Sequence, residues 1–165
     1  MPATNKTQIY AFESNFEKAV QSVLQDAGLL ETFIQGASVD LPDSRIEVMF
    51  ATGEAINQAV LEDRSQVYDF FNATLSLRIV TTRPDNQPSL IPGVQSLHEE
   101  WCAQVRALFE ERAQPFTRTN LPYYSVQTIR QTGTQRDLDP KWLEDFTRLE
   151  FAVQFGIRSD AWPVT

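Results

Sequence analysis

Cysteine and histidine each occur once in these 165 residues, as Cys102 and His98. A single cysteine excludes an intramolecular disulfide framework and any cysteine-based metal cluster. It fits a reducing compartment. Hydrophobic runs are short, and none approaches the roughly 18 apolar residues a membrane span needs. Residues 1–10 are polar, with no basic stretch leading into an apolar core, so no secretory signal is expected. The six glycines stand singly, which leaves no phosphate loop, dinucleotide fingerprint or nucleophile elbow. Positive charge is also scarce. The net charge of −8 opposes wrapping of a nucleic-acid backbone, which needs Lys and Arg to displace counterions. An acidic surface can still line a passage through which DNA slides without sticking.

What the chain does have is apolar bulk and period. A hydrophobic fraction of 42% and eleven phenylalanines exclude a disordered chain. The length suits one domain, residues 1–165 with short flexible ends, burying roughly 70% of its unfolded surface. Eleven of the fourteen cations are Arg. The planar guanidinium pairs bidentately with carboxylates and is the better interface cation, which hints at protein contacts.

The longest regular pattern closes the chain. Leu149, Phe151, Val153, Phe155 and Ile157 alternate with Glu150, Ala152, Gln154, Gly156 and Arg158, the period of a half-buried strand. Upstream, Phe12, Phe16, Val20, Val23, Leu24 and Ala27 fall at helical spacing and predict a helix over 14–27. Ser14 and Glu17 have capping-box spacing, and Gly28 stands where a left-handed cap is wanted. Residues 29–44 read as irregular. Ile46, Val48 and Phe50 predict a strand over 45–51 that Gly53 ends. A second, over 67–82, follows from Phe71, Ala73, Leu75, Leu77 and Ile79. The segment 54–66 between them exceeds a hairpin's need, which predicts a projecting arm or short helix.

Residues 83–93 carry three prolines and form a loop. A helix over 93–113 presents Val94, Leu97, Trp101, Val105 and Leu108 on one stripe, and Pro115 stops it. Pro122 opens a third strand over 123–131, and 133–145 reads as a long acidic loop. The order is α-β-β-α-β-β. It predicts an α+β fold, a single four-stranded mainly antiparallel sheet with two helices on one face. The predicted core is Phe16, Val20, Ile46, Val48, Leu75, Leu77, Trp101, Val105, Leu149, Phe151, Val153 and Phe155.

Catalytic vocabulary is thin. His98-Glu99-Glu100 lacks the second histidine or the Pro-Cys-x-x-Cys of zinc sites, so His98 reads as a helix-surface or helix-edge residue. Cys102, with its one candidate base a turn away on the same helix, reads as a buried small hydrophobe. Asp137, Asp139, Glu144 and Asp145 read as a solvated loop, lacking the glycine and twelfth-position Glu of a calcium loop. Tyr123 and Tyr124 read as strand packing rather than base stacking. Trp162, past the last strand, is either an anchor on a neighbour or folded back on its own sheet. No catalysis, cofactor or metal is expected.

Three features carry a resemblance: the early helix before Ile46-Glu47-Val48-Met49-Phe50; the long strand through Leu77-Arg78-Ile79-Val80-Thr81-Thr82, with a loop and the LHEEWCAQVRALFEE helix after it; and the closing LEFAVQFGIRSDAWP strand. In this layout, over 14–158, the chain resembles the tail terminator (tail completion) proteins of tailed bacteriophages. The resemblance implies a virion structural protein, not an enzyme. It would be assembled in the host cytoplasm into a homo-oligomeric ring, usually a hexamer, at the head-proximal end of the tail. Its partners would be further copies of itself, the tail tube protein and the head-tail connector protein. DNA would pass through the lumen without specific binding, and no membrane is involved. A head-completion or connector adaptor of the neck is the alternative within that class; a small ligand-binding or enzymatic α+β domain is the alternative outside it. Expected interface residues are Glu54, Ile56, Val60 and Arg64 of the arm, Arg78 and Arg158 on the strands, and Trp162. Arg78 and Arg158 would face Glu47 and the acidic stretch 137–145 of a neighbour.

Overall fold

The structure, a computed structural model, describes residues 6–36, 40–56, 67–110, 115–139 and 143–161. The elements run α1 (Lys6–Tyr10), α2 (Phe12–Asp26), β1 (Thr32–Ile34), β2 (Arg45–Ile56), β3 (Val67–Thr82), α3 (Leu97–Leu108), β4 (Tyr124–Asp139) and β5 (Glu144–Arg158), then a 3-10 turn, Ser159–Ala161. The fold is α+β, with a five-stranded mixed sheet in the order β1-β2-β3-β5-β4 and three helices. The expected four strands and two helices therefore need correction. The extra strand is β1, which runs parallel to β2 from within the stretch read as irregular; three residues are too few for a visible period. The extra helix is the five-residue α1.

The other pairings are antiparallel. β2 does not stop at Gly53; its register with β3 shifts between Thr52 and Ala55 and continues to Ile56. A β-bulge absorbs the one extra residue and bends the strand. Much of the expected acidic loop, residues 133–139 and 144–145, is strand: β4 reaches Asp139 and pairs with β5 through Asp139 opposite Glu144. Two register shifts in β4, between Val126 and Thr128 and between Gln131 and Gly133, break the period-2 signal there.

One face of the sheet carries the core. Phe12, Phe16, Ala19, Val20, Val23 and Leu24 of α2 and Cys102 and Val105 of α3 pack on Ile46, Val48, Phe50, Leu75, Leu77, Leu149, Phe151, Val153 and Phe155. At its centre Phe16 stacks on Phe50, with ring centroids 4.3 Å apart and planes 2° from parallel, and on Tyr124 at 5.1 Å. Every predicted core residue is buried except Trp101, which is half-buried against the cluster. The Tyr124 hydroxyl donates to the Ile9 carbonyl and accepts from Asn15 Nδ2, and burial pushes its pKa up to about 12. Gly28 has φ +96°, the left-handed value expected after α2.

The capping-box expectation fails: α2 begins at Phe12 after Ala11, without a side-chain cap, and Ser14 lies inside the helix. Glu17 does other work. Its Oε2 accepts from the Phe50 backbone N–H at 3.1 Å, and Glu13 Oε1 accepts from Thr52 N–H at 3.4 Å. β1 pairs only with Ile46–Val48 of β2, so these carboxylates satisfy N–H groups on the strand beyond it. An open strand edge is a template for unwanted pairing, and here the helix covers it. Desolvation holds the Glu17 carboxyl above its ordinary range, so the fold disfavours its ionised form, a cost that builds as pH rises from the ordinary pKa through the raised one and persists above it. Glu17→Gln keeps an acceptor without that charge and should hold or raise the urea midpoint at neutral pH. Glu17→Leu should lower it, and equal midpoints for the two would refute the cap.

Candidate functional site

α2 and α3 pack on the same side of the sheet, and among the described residues no helix covers the other side. Register fixes what that side presents. Arg45, Val80, Phe146 and Asp137 share one row across β2-β3-β5-β4; Glu47, Arg78, Arg148 and Gln135 share the next. Glu47 is buried beside two guanidinium groups, with Arg45 Nε at 3.3 Å from Oε2 and Arg78 Nε at 3.9 Å. The Arg78 guanidinium also lies over the Phe146 ring, 4.8 Å from its centroid, a cation–π contact.

Past Met49, Ser76 and Glu150, the rows become mostly short and uncharged, with Arg130 the exception: Ala51, Thr74, Ala152 and Arg130, then Asn72, Gln154 and Thr128. Short side chains leave a groove of about 580 Å³ there. Arg130 is the one ionisable side chain on its described walls. The groove therefore offers amide and hydroxyl hydrogen bonds and one cation. Such walls suit a polar polypeptide surface or an acidic group, and they hold no acid–base pair that could move a proton.

The expected interface residues are only partly described. Glu54 and Ile56 lie at the end of β2, not in a separate arm. Val60, Arg64 and Trp162 fall outside the described residues. Arg78 is engaged within its own chain by Glu47 and Phe146. Arg158 also pairs locally, with Nε at 3.1 Å from Asp160 Oδ1 and a second nitrogen at 3.1 Å from Oδ2. Of the acidic stretch set against them, Asp145 is buried and bound by Arg136 Nε at 3.3 Å and a terminal nitrogen at 2.8 Å.

A second polar cluster sits inside the core face, where His98 was not expected. His98 is 1% exposed, not a surface residue. Its Nδ1 lies 2.8 Å from Thr81 Oγ1 on β3 and its Nε2 2.7 Å from Thr147 Oγ1 on β5. Asp145 Oδ1 is 3.7 Å from Nε2. Cys102 is buried one turn on, as expected, and burial pushes its thiol pKa up, away from the reactive thiolate. The hydroxyls explain a rotation of the helix. α3 buries His98, Cys102 and Val105 rather than the predicted stripe through Leu97 and Trp101, because the sheet offers His98 hydrogen-bonding partners. The helix also begins later than predicted, at Leu97, where Ser96 accepts from Glu99 N–H as N-cap.

Thr147 and Asp145 were findable. Read backwards from Leu149, the closing alternation puts both on the inward face. No family model matches the chain, and no curated protein matches it.

Proposed function

We propose that this chain is a non-catalytic virion structural protein of the tail-terminator type, forming a ring that caps the tail tube and joins it to the head-tail connector. The observation that carries the reading is the side of the sheet that no described helix covers. Among the described residues the helices pack on one side only, and the other presents ion pairs and a groove with one cation, a surface for which a subunit of an assembly has a use. A second support is the edge. β2 is covered by β1 and by carboxylates of α2, whereas β4, sixteen residues long, pairs on one side only among the described residues. The order of helix, strand, long strand, helix and closing strand supports the family resemblance. On this reading the ring is a hexamer of heterologous contacts, repeating two different patches until the rotation closes. DNA passes its lumen without specific binding.

The groove favours one other reading, a small ligand-binding domain, since its volume suits a drug-sized molecule. Polymerising tail tube protein with and without this chain separates the two. Tubes that stop growing and carry a ring at one end support the terminator. Tubes of unchanged length with no bound protein contradict it.

A further inference from the structure

We propose that the Thr81–His98–Thr147 clamp is an acid-sensitive latch: in mildly acidic solution His98 takes up a proton and α3 loosens from the sheet. The geometry makes His98 the tie between three elements. It projects from the first turn of α3 and bonds to β3 through Thr81 and to β5 through Thr147, while its own backbone N–H donates to Asn86 Oδ1 at 2.8 Å. Thr81 and Thr147 are themselves buried, Thr81 beside a small pocket of about 80 Å³ and Thr147 beside the Cys102 thiol, so each hydroxyl that loses the ring keeps only a weaker partner. The neutral ring serves one threonine as donor and the other as acceptor. Protonation removes the acceptor, and the hydroxyl that donated to it must turn round.

The charges around the ring decide the direction. Asp145 of β5, at 3.7 Å, would welcome a proton on the imidazole. Arg136 of β4 grips both oxygens of that carboxylate, so the acid is no dedicated counter-ion. β3 contributes the uncharged Thr81. On α3 itself Cys102 is held as a thiol, and Glu99, the neighbouring carboxylate, accepts from the Gln95 backbone N–H. Burial outweighs Asp145, and His98 sits below the ordinary histidine pKa, with Arg136 pushing the same way. An unfolded or loosened chain therefore binds the proton more readily than the docked one. Stability is complete above the ordinary histidine range and falls as pH drops through it toward the depressed value. Cys102 and Val105 are the other buried residues within α3, Phe109 is buried at its C-cap, and Trp101 and Leu108 pack half-buried against the core. A charge on His98 thus acts at the N-terminal end of the helix, away from the Phe109 anchor.

The test uses the full chain. Because it has one histidine, the imidazole Cε1–H NMR signal titrates without assignment. The midpoint should lie below about 6.5, the ordinary value. In parallel, exchange protection of α3 amides, corrected for intrinsic rates, should fall about ten-fold relative to β5 amides between about pH 7 and about pH 5. Arg136→Gln, at an exposed side chain, is the second arm. Freeing Asp145 should move the His98 midpoint upward and shrink the loss of α3 protection, which a merely structural role for Arg136 would not do. A wild-type midpoint at or above 6.5 would overturn the latch. So would α3 protection that stays constant through the titration, or an Arg136→Gln midpoint that does not rise.

Discussion

Phe155→Ala should lower the unfolding free energy by about 3–5 kcal/mol, the largest single effect expected in the core. Phe155 is fully buried and lies within 4.7 to 6.1 Å, centroid to centroid, of Phe12, Phe16, Phe50, Phe71 and Tyr124. Those five rings come from α2, β2, β3 and β4, so no one element can move in to fill the space. Rigid packing on all sides is what turns a lost side chain into a residual cavity. Phe151→Ala, two steps along the same inward face against Phe109 at 5.7 Å, should cost about as much. Urea denaturation monitored by circular dichroism reads both. An unchanged midpoint for either would mean that the inward face of β5 is misassigned.

His98→Ala is expected to cost about 3–5 kcal/mol at neutral pH, for a different reason. It opens a smaller cavity and takes the imidazole from two buried threonine hydroxyls, leaving Thr147 only the weak Cys102 thiol, and an orphaned buried hydroxyl costs roughly 1–3 kcal/mol. A repair separates hydrogen bonding from packing. His98→Leu combined with Thr81→Val and Thr147→Val removes all three polar groups at similar volume. Replacing every partner of a buried polar contact is close to neutral, so the triple variant should recover most of the loss. If the triple variant is as unstable as His98→Ala, the hydroxyls are not the cause and the clamp carries no special energy.

The two sites differ in how far the sequence betrayed them. The inward face of β5 was plain from Leu149 to Ile157, because strict alternation over a half-buried strand has no other easy explanation. The same alternation continues through Thr147 and Asp145, but polar residues at inward positions look like the end of a strand. Only partners from α3 and β4 make them affordable inside. α3 shows the converse. Leu97 and Trp101 gave a credible stripe, and the helix turned instead towards His98 and Cys102, a choice set by hydroxyls on strands far away in sequence. β4 was read only as far as residue 131, its continuation to Asp139 hidden by two bulges that each reverse the alternation, and β1 was hidden by its brevity. The polar sheet face away from the described helices was implicit in Asn72, Thr74, Ser76 and Arg78 on one strand and Arg148, Glu150, Ala152 and Gln154 on another. Which of those residues stand in one row follows from register, and register is fixed by pairing rather than by either strand alone.

The central claim is that copies of this chain close into a ring. Native mass spectrometry across a concentration series, with light scattering on the same samples, measures it directly. The account predicts one discrete closed species, a hexamer, at concentrations where the chain meets tail tubes. High salt should weaken it only modestly, because exposed ion pairs contribute little each, roughly 0–1 kcal/mol. A chain that stays monomeric at every concentration, both alone and with tail tubes, would contradict the account.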